Sequence, residues 1–245
     1  MQTLGLIGFG QFGQLAAGVL SRHFEIVAAD VAPAAEAAAQ ALGVAFGTLP
    51  EAASCDVVVV AAPVAAMRAV FTAMAPHVKP GALVADVGSV KMLPAQWMSD
   101  ILPAHADLVA THPLFGPQSA RGGLSGLRLV VCPVRGERHE QVAAFGRRLG
   151  LTVAVTTPEE HDREMAYVQA LTHLIGRSLV NMGIPDEQLK TQFYQHLLDL
   201  CALIGADTFE LFTAIQTQNP FAAAVVTAFV DQAQSLLGQV AGKDA

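Results

Sequence analysis

The strongest constraint on this chain lies at its start, where Leu4-Gly5-Leu6-Ile7 runs directly into Gly8-Phe9-Gly10-Gln11-Phe12-Gly13 and then into a helix-forming stretch. Strand, glycine turn and helix in that order give each glycine a job: the tight turn at Gly8, close backbone approach to a pyrophosphate at Gly10, and helix packing at Gly13. The helix that follows points unpaired amides and a positive dipole end at the phosphates. Asp30 closes the next strand-like run, where an acid accepts from a ribose 2′-hydroxyl and repels a 2′-phosphate; Val31-Ala32-Pro33 offers no arginine to bind one. These features predict NAD as cofactor, bound by Gly8, Phe9, Gly10, Gln11, Phe12, Gly13 and Asp30. The competing reading is an ordinary glycine-rich turn with Asp30 capping a helix.

Such a turn implies a βαβ unit, and the chain continues the pattern up to about residue 156. Short β-branched runs at 3–7, 25–29, 56–61, 82–86, 107–111, 127–132 and 152–155, with a minor one near 44–46, alternate with alanine-rich helical stretches. The run Val57-Val58-Val59-Val60 is apolar on both faces, as a central strand covered by helices must be. From Pro158 the texture becomes wholly helical, with one long helix expected to about residue 182 and others near 187–204, 207–216 and 220–237. The expected architecture is α/β: a Rossmann domain with a mostly parallel, doubly wound sheet over residues 1–156, and a smaller all-α domain over 157–245. Fewer than ~100 helical residues bury their apolar side chains poorly alone, so a homodimer through the C-terminal helices is expected. A last helix buried within one monomer is the alternative.

Composition excludes several classes. Hydrophobic residues are 53% and charged residues 14%, enough apolar surface for a core and too little charge for disorder. The longest apolar runs, 57–67 and 221–230, fall well short of the ~20 residues a spanning helix needs, so no membrane segment is expected. A net charge of −7 with one adjacent basic pair, Arg147-Arg148, argues against nucleic acid. Cys55, Cys132 and Cys201 lie far apart with no Cys-x-x-Cys pair, and no export signal precedes the first strand; a cytoplasmic protein without a metal site is expected.

Ligands in open α/β sheets bind beyond the carboxyl ends of the strands, which directs attention to Asp86-Val87-Gly88-Ser89-Val90-Lys91 and Thr111-His112-Pro113-Leu114-Phe115-Gly116-Pro117. His112, on a proline-stiffened loop, is the candidate base, since an imidazole accepts a proton near neutral pH and alcohol oxidation needs such a group. Ser89 is expected to hydrogen-bond either that imidazole or the substrate hydroxyl. Lys91 is either a substrate or cofactor contact or a structural residue, paired with Asp86 or solvated at the helix start. On the long helix Asp162, Gln169, His173 and Arg177 fall on one polar stripe at intervals of seven, four and four. That stripe either faces the cleft between the domains or forms a satisfied network or solvated face. His161 lies off it, a first-turn polar residue or a ligand. The small-molecule site so assembled is catalytic His112 and Ser89 with substrate-binding His173, Gln169, Lys91 and Arg177.

Taken in order, residues 8–13, the Asp86 to Lys91 and Thr111 to Pro117 segments, His161-Asp162 and Gln169-Ala170-Leu171-Thr172-His173 resemble the prephenate/arogenate dehydrogenase family of tyrosine biosynthesis. Asp207-Thr208-Phe209-Glu210-Leu211-Phe212, Gln216 and Asn219-Pro220 resemble its helical domain. The resemblance implies NAD-dependent oxidative decarboxylation of prephenate or arogenate, with His112 taking the hydroxyl proton, Ser89 assisting and His173 contacting substrate. One departure stands out: many members carry a carboxylate-binding arginine in the helical domain, and no arginine follows Arg177 here. Lys190, Gln192, Gln195, Arg177 or a partner subunit are the substitutes. An acid such as Asp199 or Asp207 near the site would favour arogenate, whose side chain carries an ammonium. Two other functions fit parts of the pattern: a β-hydroxyacid-dehydrogenase-like oxidoreductase using Lys190, and a non-catalytic NAD-sensing protein needing neither Ser89 nor His112.

Overall fold

A computed structural model describes residues 1–241 and resolves into two compact units, Met1–His161 and the chain from Asp162 onward. The first unit is built on β1 (Thr3–Ile7), β2 (Glu25–Ala29), β3 (Ala45–Phe46), β4 (Val57–Val60), β5 (Leu83–Asp86), β6 (Asp107–Pro113), β7 (Arg128–Arg135) and β8 (Thr152–Val155). They form one sheet in the order β3-β2-β1-β4-β5-β6-β7-β8. Every pairing is parallel except β6 with β7. Between the strands run α1 (Gln11–Leu20), α2 (Ala35–Ala41), α3 (Leu49–Ala53), α4 (Val64–Met74), α5 (Met92–Ile101) and α6 (His139–Arg148).

The four consecutive valines of β4 explain its central place: it lies between β1 and β5, and Val58 and Val60 are wholly buried. One face of the sheet packs Val58, Val60 and Val84 against Met67, Phe71, Met74 and Met98; the other packs Leu4, Leu6, Val57 and Leu83 against Phe9, Ala17, Ala35 and Ala39. Burying side chains on both faces at ~25 cal/mol per Å² holds a parallel sheet together. β6 runs two residues further than the sequence indicates. His112 pairs with Val130 and Pro113 with Leu129, so His112 is part of the ladder rather than of a following loop.

The second unit contains the second half of α7 (Pro158–Met165), then α8 (Thr172–Met182), α9 (Gln192–Gly205), α10 (Phe209–Gln218) and α11 (Ala222–Ala241). The single long helix expected over 158–182 is interrupted, because residues Ala166–Leu171 adopt a π-helical turn. Helical propensity does not distinguish i→i+5 from i→i+4 bonding, so the sequence carries no sign of it. Gly176 lets α8 approach α9 closely, since a Cβ there would lie 2.7 Å from Ile204 Cγ1. Ala170, Ile215 and Ala222 form a small core with Leu211 and Val226. Beyond it α11 exposes apolar side chains, with Leu236, Leu237 and Val240 54%, 72% and 68% exposed. Among the described residues no single helix is long and apolar enough to cross a membrane, and no cluster of His, Cys, Asp and Glu is arranged to hold a metal.

Candidate active site

The glycine turn has the shape a dinucleotide requires. Gly8 has φ +99°, and a Cβ on it would lie 2.6 Å from the Ala61 carbonyl carbon. A Cβ on Gly13 would run into the Gly8 carbonyl oxygen, whereas nothing stands within 4 Å of where one would be on Gly10. Backbone is therefore open to a ligand at Gly10 and closed at its neighbours. α1 starts at Gly10 without a side-chain cap, leaving its first amides to an incoming anion. Asp30 stands against this turn: Phe9 N–H donates to its Oδ2 at 2.5 Å and Ala32 N–H to its Oδ1 at 2.7 Å. A carboxylate has about four acceptor sites, so capacity remains for ribose hydroxyls. These residues fit NAD.

At the ends of β5 and β6 the two quoted loops are tied together by a buried ion pair. The Lys91 ammonium donates to Asp86 Oδ2 and, at 2.6 Å, to the Thr111 carbonyl; Thr111 Oγ1 donates to the Asp86 carbonyl at 2.5 Å. Gly88 N–H donates to Asp86 Oδ2 at 2.8 Å. Both charged side chains are 0% exposed. Burial pushes the Asp86 carboxyl up, and the Lys91 ammonium and the Gly88 amide work against that shift. Of the readings of Lys91, the ion pair with Asp86 is the one the structure shows. An ammonium with no exposed surface, engaged with a carboxylate and a carbonyl, fastens β5 to β6 directly before His112.

His112 is 6% exposed and Ser89 likewise 6%. Ser89 Oγ is buried and has no hydrogen-bond partner among the described residues. Of its two expected roles, holding the imidazole is therefore not realised, and contact with a ligand hydroxyl is the one its geometry permits. The imidazole is held instead by a residue the sequence left undecided: His112 Nδ1 and His161 Nε2 lie 2.8 Å apart, with the rings edge to face at 65°. His161, 2% exposed in α7, is 49 positions away, beyond the reach of any periodicity argument.

In the second unit His173, Arg177 and Asp207 come together. Arg177 Nη2 donates to the Asp207 carbonyl at 2.7 Å, and His173 Nδ1 is 3.8 Å from Asp207 Oδ2. Burial lowers the His173 pKa, with Arg177 adding to that shift and the Asp207 carboxylate opposing it. Burial raises Asp207, opposed by His173 and Arg177. Gln169 Oε1, His173 Nδ1 and Arg177 Nε are buried without a hydrogen-bond partner among the described residues, polar capacity that a native interior rarely leaves unused. Asp162 is wholly buried, and its carbonyl accepts from Asn219 Nδ2 at 2.7 Å. Of the other substitutes for the absent arginine, Lys190 pairs with Asp186 at 2.5 Å and Gln195 donates to Asp199 at 2.9 Å.

Residues 16–166 match the family model for the nucleotide-binding domain of prephenate dehydrogenase, and residues 157–245 match the model for its dimerization domain. The chain belongs to the prephenate dehydrogenase family. Its relatives within the family include arogenate dehydrogenase 2, chloroplastic, of Arabidopsis thaliana, 31% identical over 89% of this chain and 64% of the relative. A probable arogenate/prephenate dehydrogenase of Methanocaldococcus jannaschii is 30% identical over 77% of this chain and 44% of the relative. The chain thus spans less than two thirds of the length of either. Prephenate dehydrogenase from Aquifex aeolicus, solved in complex with hydroxyphenyl propionate and NAD+, shares the fold with a TM-score of 0.79 at 20% identity, covering 100% of this chain and 92% of that one. Synechocystis arogenate dehydrogenase aligns with a TM-score of 0.70 at 20% identity, covering 99% and 93%.

Proposed function

We propose that this chain is an NAD-dependent dehydrogenase that oxidatively decarboxylates a cyclohexadienol, arogenate or prephenate, to the corresponding phenol. When bound, NAD supplies the acceptor for the hydride of the ring carbinol carbon, while the ring carboxylate departs as CO2 and its bonding electrons aromatise the ring. The glycine turn and Asp30 hold the dinucleotide. His112 takes the carbinol proton at Nε2 as the carbonyl forms and returns it to the same oxygen as the ring becomes a phenol, so the proton count closes. Ser89 donates to or accepts from that oxygen and fixes its line of approach. The observation that carries this reading is the pinned imidazole of His112 at the end of β6, with the unpartnered Ser89 hydroxyl at the end of β5.

Gln169, His173 and Arg177 are the proposed substrate-binding residues of the second unit, supported by their buried, unpartnered polar atoms. Arg177 would serve the side-chain carboxylate in place of the absent arginine. Asp207 favours arogenate over prephenate, because a carboxylate attracts the ammonium of an amino acid side chain and offers a keto acid nothing. The exposed apolar residues of α11 and the match to a dimerization domain support a homodimer. Light scattering would report a monomer if that part of the reading is wrong.

Purified protein mixed with NAD and either substrate, followed by the absorbance of reduced nicotinamide, tests the function. Turnover with arogenate exceeding that with prephenate is expected, and His112→Asn should abolish it while leaving NAD binding intact. Full turnover in His112→Asn removes the base assignment; silence with both substrates removes the activity.

A further inference from the structure

We propose that His161 is the positioning residue that makes His112 a base, by accepting a hydrogen bond from Nδ1 of His112 and thereby keeping the lone pair of His112 on Nε2. The inference rests on the reading of His112 as the proton acceptor, and it adds a residue to which neither motif nor spacing assigns a role.

Two ring nitrogens 2.8 Å apart hold one proton between them. With none, two lone pairs oppose each other; with one on each, two N–H groups collide. Two neutral arrangements remain. If His161 donates from Nε2, His112 carries its own proton on Nε2 and is an acid, unable to accept from a carbinol. If His112 donates from Nδ1, its lone pair is on Nε2 and it is a base. With Nδ1 engaged by His161, the second arrangement alone puts a lone pair on Nε2 and so serves an oxidation.

The partner's chemistry matters as much as its position. A carboxylate bonded to Nδ1 would favour the imidazolium and hold the proton on His112. A neutral imidazole accepts the Nδ1 bond without adding a negative charge, so the proton taken from the carbinol is readily given back to the phenol oxygen. The 2.8 Å contact between the two buried rings, 6% and 2% exposed, leaves room for one proton and no more on the line between the nitrogens. The edge-to-face ring angle of 65° holds the two nitrogens in line while keeping the faces apart.

The test combines a spectroscopic readout with kinetics on the full chain. Nitrogen-15 NMR of the ligand-free protein reads the tautomer of His112 directly, and the proposal requires the proton on Nδ1. In His161→Phe, which keeps the ring and removes the acceptor, kcat should fall by about 10²-fold, within the range a positioned base supplies, while the Kd for NAD stays within about twofold. His161→Gln places an amide oxygen close to where Nε2 stands and should bring kcat back to within about tenfold of the unsubstituted protein. A wild-type His112 protonated on Nε2 overturns the proposal, as does wild-type kcat in His161→Phe. The expected tautomer with no turnover in any form sinks the proposed function instead and leaves the hydrogen-bond assignment standing.

Discussion

Replacing Lys91 by methionine should destabilise the first unit severely, and the structure sets the scale. The ammonium is 0% exposed, so methionine fills a similar volume while removing the cation and its hydrogen bonds to Asp86 and Thr111. What remains is a buried carboxyl whose Oδ1 has no hydrogen-bond partner among the described residues and whose Oδ2 keeps the Gly88 amide, together with a Thr111 carbonyl that has lost the Lys91 donor. Removing one member of a buried pair costs about 3–5 kcal/mol. Without the ammonium, burial pushes the Asp86 carboxyl further up until it protonates, which caps the loss within that range. At ~2–4 °C per kcal/mol for a unit of this size, the melting temperature should drop by roughly 6–20 °C. Urea unfolding followed by circular dichroism measures the change in ΔG, and Asp86→Asn combined with Lys91→Met should recover at least half of it, since a neutral pair needs no counter-ion. The reasoning is refuted if Lys91→Met lies within about 1 kcal/mol of the parent, or if the double variant is as unstable as the sum of the two singles.

Asp30→Ala should weaken NAD binding by roughly 10-fold or more, the worth of a hydrogen bond to a charged acceptor, as read by calorimetric titration. Asp56, held at a pKa of about 2 by Lys79 and Thr3, is depressed below its ordinary 3.8, so the stability it contributes is complete above pH 4 and is lost as pH falls toward 2. Asp56→Asn should accordingly flatten the stability profile between those limits, which acid titration monitored by fluorescence checks. His173, whose pKa burial lowers from 6.5, contributes stability that is present above that value and falls as pH drops below it. A His173→Gln protein should lose this dependence, and unfolding curves at pH 7 and pH 5 that shift equally in both proteins would contradict the placement of that ring.

Much of the first unit is visible in local chemistry. Glycine spacing behind an apolar strand, four valines in a row and alternating helical stretches specify a mostly parallel sheet without reference to any distant residue. Pairwise encounters across long separations are not visible in the same way. Lys91 reads equally as a solvated helix start and as a buried ion, because its burial depends on Thr111, twenty positions on. His161 gives no signal of meeting His112, since hydrophobic periodicity reports which face of its own helix a residue occupies and nothing of what that face touches. Pro113 argues for a strand ending at Thr111, yet at the last position of β6 its missing N–H costs little.

The π turn at Ala166–Leu171 has a consequence for how this helix can change over evolutionary time. One surplus residue in the turn advances everything on one side of it by ~100° relative to an uninterrupted helix, so Asp162 and His173 are set in separate rotational phases. Deleting a single residue between 166 and 171 would restore regular bonding yet swing the Asp162 carbonyl away from Asn219, exchanging backbone regularity for a lost buried hydrogen bond. The turn thus fixes the number of residues between Met165 and Thr172 in this chain, while Ala166 and Ala170, both wholly buried, restrict what its inner side can hold.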